Sequence, residues 1–191
     1  MIDLGMEISD RLRETAKRWR ARRYSGSALV EFAFIAPVFF MLLFAIMEIG
    51  IMFFAQATMQ HATDNLARTL RTGQIQGQGL TQQQVRQMVC NDIAPLIPCD
   101  NTYLKIDIQN FSQFAGMGYS PPLDPNKNFN PLNNYQTGTA CSVELVRIFF
   151  GWPVFTPILQ PILATMANNK HMLYAAAAFR NEPYTTGMSG C

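Results

Sequence analysis

The sequence predicts an α+β protein in which one long amino-terminal helix, first transmembrane and then amphipathic, packs on a small antiparallel sheet. Three observations predict it. Phe32 to Met47 is a run of sixteen residues without a charge, and apolar residues resume after Glu48 as far as Phe54. From Phe54 to Leu70, apolar residues recur mostly every three or four positions, the period of a helix face. Beyond Gly79 come shorter capped or alternating segments, separated by stretches rich in Pro, Gly and Asn.

The averages conceal this division. At 191 residues, 49% hydrophobic, 15% charged and net +2, the chain has the bulk of one ordinary domain with accessory segments. Seven of its fifteen Lys and Arg residues lie in the first 23 positions with four acids, so that block carries 7 − 4 = +3 and the remainder 8 − 9 = −1. A basic block directly followed by an apolar run excludes an ordinary cytosolic enzyme, a nucleic-acid binder with a basic face and a wholly disordered chain.

A bilayer core needs about twenty helical residues to cross. Residues 28–54 supply them, interrupted only by Glu31 near the start and Glu48 near the end. Cations crowd Arg11 to Arg23, and the next one is Arg68, which places the amino terminus in the cytoplasm and everything after about residue 55 outside it. A cleavable secretory signal would have an apolar core of roughly 7 to 15 residues ending at a small-x-small site. The run here is longer and continues with helical periodicity, so a retained anchor is expected. The helix should extend over 27–72, with residues 55–72 amphipathic, and end at Gly73.

At the head of the apolar run the chain reads Gly26-Ser27-Ala28-Leu29-Val30-Glu31-Phe32. This resembles a type IV prepilin processing site, at which a membrane aspartyl peptidase cuts after the glycine. Gly26, lacking a Cβ, would let an extended backbone enter a narrow cleft. The resemblance implies that 1–26 is a leader left in the cytoplasm, that Ser27 becomes the first residue, and that Glu31 pairs with the freed α-amino group of a neighbouring subunit. Such a partner would offset the cost of a few kcal/mol for a carboxylate at the edge of hydrocarbon; snorkelling at the interface is the plainer alternative. The longer string from Gly26 through Pro37, closed by Glu48-Ile49-Gly50, is similar to the TadE-like pseudopilins of tight-adherence pilus systems. The terminal Ala178-Phe179-Arg180-Asn181-Glu182-Pro183-Tyr184 also looks like the end of such proteins. Phe32 stands where the family's short major pilin usually has Tyr. With a mature part of 191 − 26 = 165 residues, the chain resembles a minor component more than the bulk subunit. Pro37 and Glu48 read either as packing and interface residues or as helix contacts made during assembly.

The resemblance also implies the partners and the place. The partners are a prepilin peptidase, the major pilin and other minor pilins, the inner-membrane pilus assembly platform and membrane lipid, with no nucleic acid. The place is the bacterial inner membrane, with the carboxy-terminal domain in the periplasm and, after assembly, in the extracellular pilus.

Residues 73–191 form the extracytoplasmic α+β domain. Gly73 to Gly79 reads as a turn or linker, and it lacks the spacing and the Lys-Ser/Thr of a phosphate loop. Thr81 and Gln84 make a capping box for a short helix that ends before Pro95. Tyr103 to Phe111 alternates as a half-buried strand, with Lys105, Asp107 and Gln109 on the polar face. Val143 to Phe150 and Met172 to Phe179 are further strands, and Thr156-Pro157 starts a helix through Met166. Between them, 112–140 holds four Pro, five Asn and three Gly; it reads as a tolerated insertion or as a surface for another subunit or a cell.

Cys90, Cys99, Cys141 and Cys191 all follow the membrane span, and an even count on an oxidising side reads as two disulfides. Of three pairings, Cys90–Cys99 with Cys141–Cys191 is preferred: the first closes a short loop around Pro95 and Pro98, and the second ties down the last residue. His61 and His171 have no ligand-spaced partners, and no Gly-x-Ser-x-Gly or Cys/His arrangement occurs. No catalytic residue, metal or cofactor is therefore expected. A structural assembly protein is the leading reading, and an unprocessed, signal-anchored periplasmic binding or scaffold module is the alternative.

Overall fold

The computed structural model describes residues 3–94, 96–118, 120–184 and 191; within 3–25, side chains are described only at Arg11, Arg13 and Glu14. The elements in order are α1 (Asp3–Arg71), α2 (Gln74–Gln78), α3 (Gln82–Ile93), β1 (Leu104–Phe111), β2 (Val143–Pro153), α4 (Gln160–Leu163) and β3 (Lys170–Arg180). The three strands form one antiparallel sheet in the order β1-β2-β3. The α+β class, the long apolar helix and the small antiparallel sheet read from the sequence are all borne out.

The chain divides into two compact units, Met1–Ile46 and Met47–Cys191. The described part of the first is entirely helical, and its large apolar side chains face outward: Phe34 is 77% exposed and Leu29 68%. Pro37 sits within α1 without ending it.

In the second unit α1 supplies one wall of the core. Met52, Ala55, Met59, Ala62, Leu66 and Leu70 form a buried stripe at spacings of three and four. The stripe meets Leu104, Ile106 and Ile108 of β1, Val146, Ile148 and Phe150 of β2, and Leu173 and Ala175 of β3. Phe54 and Ala57, counted into the stripe by sequence, are exposed. Met52 and Ala55 take their place because they hold the helical phase of Met59 and Ala62.

The segment 73–79, expected as a linker, contains the short helix α2 between Gly73 and Gly79, both left-handed, with Ile75 buried. The capping box of α3 forms as expected: the Gln84 backbone N–H donates to Thr81 Oγ1 while Gln84 Oε1 accepts from the Thr81 backbone N–H. The helix expected from Thr156 through Met166 shrinks to Gln160–Leu163. Phe155 and Thr156 give their N–H groups to Glu48, and Pro161, which has no N–H, falls at the start of the helix.

Around Asp107 and Arg147 the sheet is covered on its outer face as well, which the alternation in β1 did not indicate, while Tyr174, Ala176 and Ala178 on the outer face of β3 stay exposed. Asp107 is fully buried and accepts from Arg147 Nε at 2.9 Å, from Gln109 at 2.8 Å and from Asn134 at 2.7 Å. The cover is the 112–140 segment. Its Ser120 carbonyl accepts from Arg147 Nη1, its Leu132 is buried, and its Tyr135 bridges Ile108 in parallel along the free edge of β1. That bridge occupies the edge of β1 at Ile108, through the Ile108 N–H on the Asn134 carbonyl and the Gln136 N–H on that of Ile108, where the edge would otherwise be open to pairing.

Because removal of one partner strands a buried charge, Arg147→Ala and Asp107→Ala should each destabilise the domain by about 3–5 kcal/mol. Joint replacement of the pair by leucines should cost far less. Denaturant melts of the detergent-solubilised chain measure both, and equal losses in the single and double variants would contradict a buried ion pair.

Candidate functional site

Gly26, Ser27, Glu31, Phe32 and Pro37 all lie on the part of α1 within 26–46. Gly26 is helical, with open space where a Cβ would be, and Ser27 Oγ donates to Glu31 Oε1 at 3.4 Å. Gly26 stands between two serines, residues of modest helix propensity around one about 1 kcal/mol worse than alanine. Unwinding the helix there costs less than in the neighbouring stretch Ala28 to Ile35. Glu31 and Phe32 are exposed, so the carboxylate and the ring are both presented to whatever surrounds the helix.

Glu48 behaves differently. Only 8% exposed, it accepts from the backbone N–H groups of Phe155, at 2.6 Å, and Thr156, at 2.8 Å. The acid near the end of the apolar run thus ties the β2–β3 connection to α1. The two histidines take local roles: His61 Nδ1 lies 3.4 Å from Asn65, and His171 Nδ1 lies 2.6 Å from the Leu163 carbonyl.

Disulfides join Cys90 to Cys99, with 5.7 Å between Cα atoms, and Cys141 to Cys191, with 5.3 Å. The first closes the turn after α3. The second spans 50 residues, and a loop of that size restricts the unfolded chain by about 4 kcal/mol in the chain-entropy account.

The terminal Asn181-Glu182-Pro183-Tyr184 string docks on the end of α1. The Glu182 N–H donates to the Arg71 carbonyl at 2.9 Å, with an ion pair of 3.3 Å between the two side chains. The Tyr184 ring lies where a Cβ on Gly73 would stand 2.5 Å from its Cγ, and Gly73 has φ of +72°, so glycine is required there twice over. Tyr184 also donates to the Gly138 carbonyl.

Beneath this latch sits Glu144, which sequence reasoning passed over as one polar residue in a strand. It is fully buried on the helix-facing side of β2, and its Oε1 accepts from Asn181 at 2.8 Å, from Gln76 at 3.2 Å and from the Gly138 N–H. Its Oε2 has no partner among the described residues. The available signal was the pair of acid and cation, Glu144 and Arg147, inside an otherwise apolar strand.

The fold and the exposed helix define a class: an α+β domain carried on one amino-terminal helix long and apolar enough to cross a membrane, with an acid five residues after a glycine at its head. Over residues 26–68 the chain matches the family model described as TadE-like protein. The resemblance read from Gly26 to Gly50 is borne out over that segment. No curated protein and no solved structure matches the chain.

Burial pushes the Glu144 carboxyl above its ordinary value of 4.5, against the opposing pull of hydrogen bonds from Asn181, Gly138 and Gln76. The folded state therefore holds this proton more tightly than the unfolded chain does. Its contribution to stability is complete below pH 4.5 and is lost as pH rises through the folded-state value. Glu144→Gln keeps the accepting oxygen and should remove that decline from a profile of melting temperature against pH, and an unchanged profile would contradict the assignment.

Proposed function

We propose that the chain is a minor pseudopilin of a tight-adherence (Flp-type IV) pilus. It enters the inner membrane with its basic leader in the cytoplasm, is cut by a prepilin peptidase between Gly26 and Ser27, and joins the pilus through its apolar helix. The observation that carries this reading is the exposed Gly26 to Glu31 motif at the head of a helix matching the TadE-like family model over 26–68. That family ties the segment to tight-adherence pilus systems.

The physics of the helix supports storage followed by assembly. The same outward-facing side chains, Phe34 and Leu29 among them, are solvated by lipid before assembly and by neighbouring pilin helices afterwards. Glu31 gains the α-amino group of a neighbour once cleavage frees it, which replaces the weak 3.4 Å contact with Ser27 by a charge pair. The two disulfides fit an oxidising compartment. Major and minor pilins and the inner-membrane assembly platform are then its partners, and the chain has no catalytic role. The unprocessed-anchor alternative draws on the continuity of α1 through Gly26, which leaves no extended segment there.

Amino-terminal sequencing of the membrane-extracted protein distinguishes the two. Recovery starting at Ser27, abolished by Gly26→Ala or by deletion of the peptidase, is expected; an intact Met1 terminus in piliated cells would contradict processing. Glu31→Ala should leave membrane insertion unchanged while reducing pilus number, and full piliation in that variant would remove Glu31 from assembly.

A further inference from the structure

Between Arg147 and Lys170 the chain has no charged residue for 170 − 147 − 1 = 22 positions, the longest uncharged run outside α1. Its first part is strand β2; the rest is the connection to β3, whose largest side chains point outward. Phe155 is 69% exposed, Ile158 54% and Ile162 76%. Three large apolar side chains so exposed in nine residues are unusual for a loop in water.

Its backbone is unusual as well. From Pro153 to Ala164 three residues are proline and have no N–H. Of the nine that remain, eight donate: Val154 to the Asn169 carbonyl, Phe155 and Thr156 to Glu48, and Leu159, Gln160, Ile162, Leu163 and Ala164 to carbonyls within the connection. A loop in water needs no such completeness, because solvent serves its donors. In hydrocarbon each unserved donor costs several kcal/mol. Glu48 also fixes the level of the connection: it lies 54 − 48 = 6 residues before the last apolar residue of the span, beside the exposed Ile51, Phe53 and Phe54. Its carboxylate, costly at that depth by itself, is neutralised in effect by two charge-assisted N–H bonds.

We infer that residues 155–163 are a second membrane element, lying in the outer interface of the bilayer next to α1 and contacting lipid acyl chains through Phe155, Ile158 and Ile162. This rests on the reading of 28–54 as a membrane span. Burying the three side chains holds the domain against the bilayer, and Glu48 acts as the clasp between the span and the connection.

The test uses the full chain in phosphatidylethanolamine and phosphatidylglycerol nanodiscs with alkyne-tagged acyl chains. Photoreactive p-benzoylphenylalanine replaces one residue at a time, at Phe40 in the span, at Ile158 or Ile162 in the connection, or at the exposed Gln87 of α3. Lipid adducts at Phe40, Ile158 and Ile162, and none at Gln87, are expected. Adducts at Phe40 without any at Ile158 and Ile162, or adducts there only to a second copy of the chain, would overturn the inference and leave the span intact. Absence of lipid adduct at Phe40 would overturn the span and the inference together.

Discussion

The core that joins the three strands is walled by a stripe of α1, with Val85, Val89 and Ile93 of α3 packed beside it, and the same α1 carries the segment long and apolar enough to cross a membrane. Between Met52 and Leu70 one stripe of α1 is buried against the sheet, while from Leu29 to Met47 most of its large apolar side chains face outward. Helical periodicity is therefore a constraint in one half of α1 and irrelevant in the other. An apolar substitution in the stripe disturbs packing at close quarters; the same substitution in the exposed apolar segment before it changes only which side chain the helix presents outward.

Three buried polar anchors then hold the long connections to this frame. Glu48 holds the β2–β3 connection, the Asp107–Arg147 pair holds the 112–140 segment over the outer face of the sheet, and Glu144 holds the latch made by Asn181 and Tyr184. Glu48 and the Asp107–Arg147 pair are charges served by several partners, which is the condition under which a buried charge is tolerated, whereas burial favours the protonated form of Glu144, whose hydrogen bonds all converge on Oε1. The apolar core supplies cohesion without direction, and these anchors specify where Pro- and Asn-rich segments lie.

Local signals were legible in the sequence and paired signals were not. The capping box at Thr81 and Gln84, the period of three and four along α1 and the alternation of β1 each arise from neighbours in the chain, so each could be read directly. The burial of Asp107 depends on Arg147, 40 positions away, and the docking of Glu48 depends on Phe155 and Thr156, more than 100 positions away. Alternation in β1 identified a strand, yet could not reveal that 112–140 covers its polar side. The helix expected at Thr156 gives way to tighter turns, with the Leu159 N–H on the Thr156 carbonyl and the Gln160 N–H on that of Pro157, because Pro161 has no N–H to continue a helical ladder back to Pro157. At the candidate site, the Gly26 to Glu31 motif was legible because the family resemblance is carried by a short contiguous string. The latch was visible only as a resemblance at the chain's end until Arg71 and Gly73 were seen beneath it.

Everything proposed for this chain depends on one helix crossing a membrane with its basic flank inside and its disulfide-bearing domain outside. Fusion of alkaline phosphatase or green fluorescent protein after Cys191, each expressed in a bacterium, tests that directly. The account predicts an active phosphatase fusion and a dark fluorescent-protein fusion; a bright fluorescent protein with inactive phosphatase would contradict it.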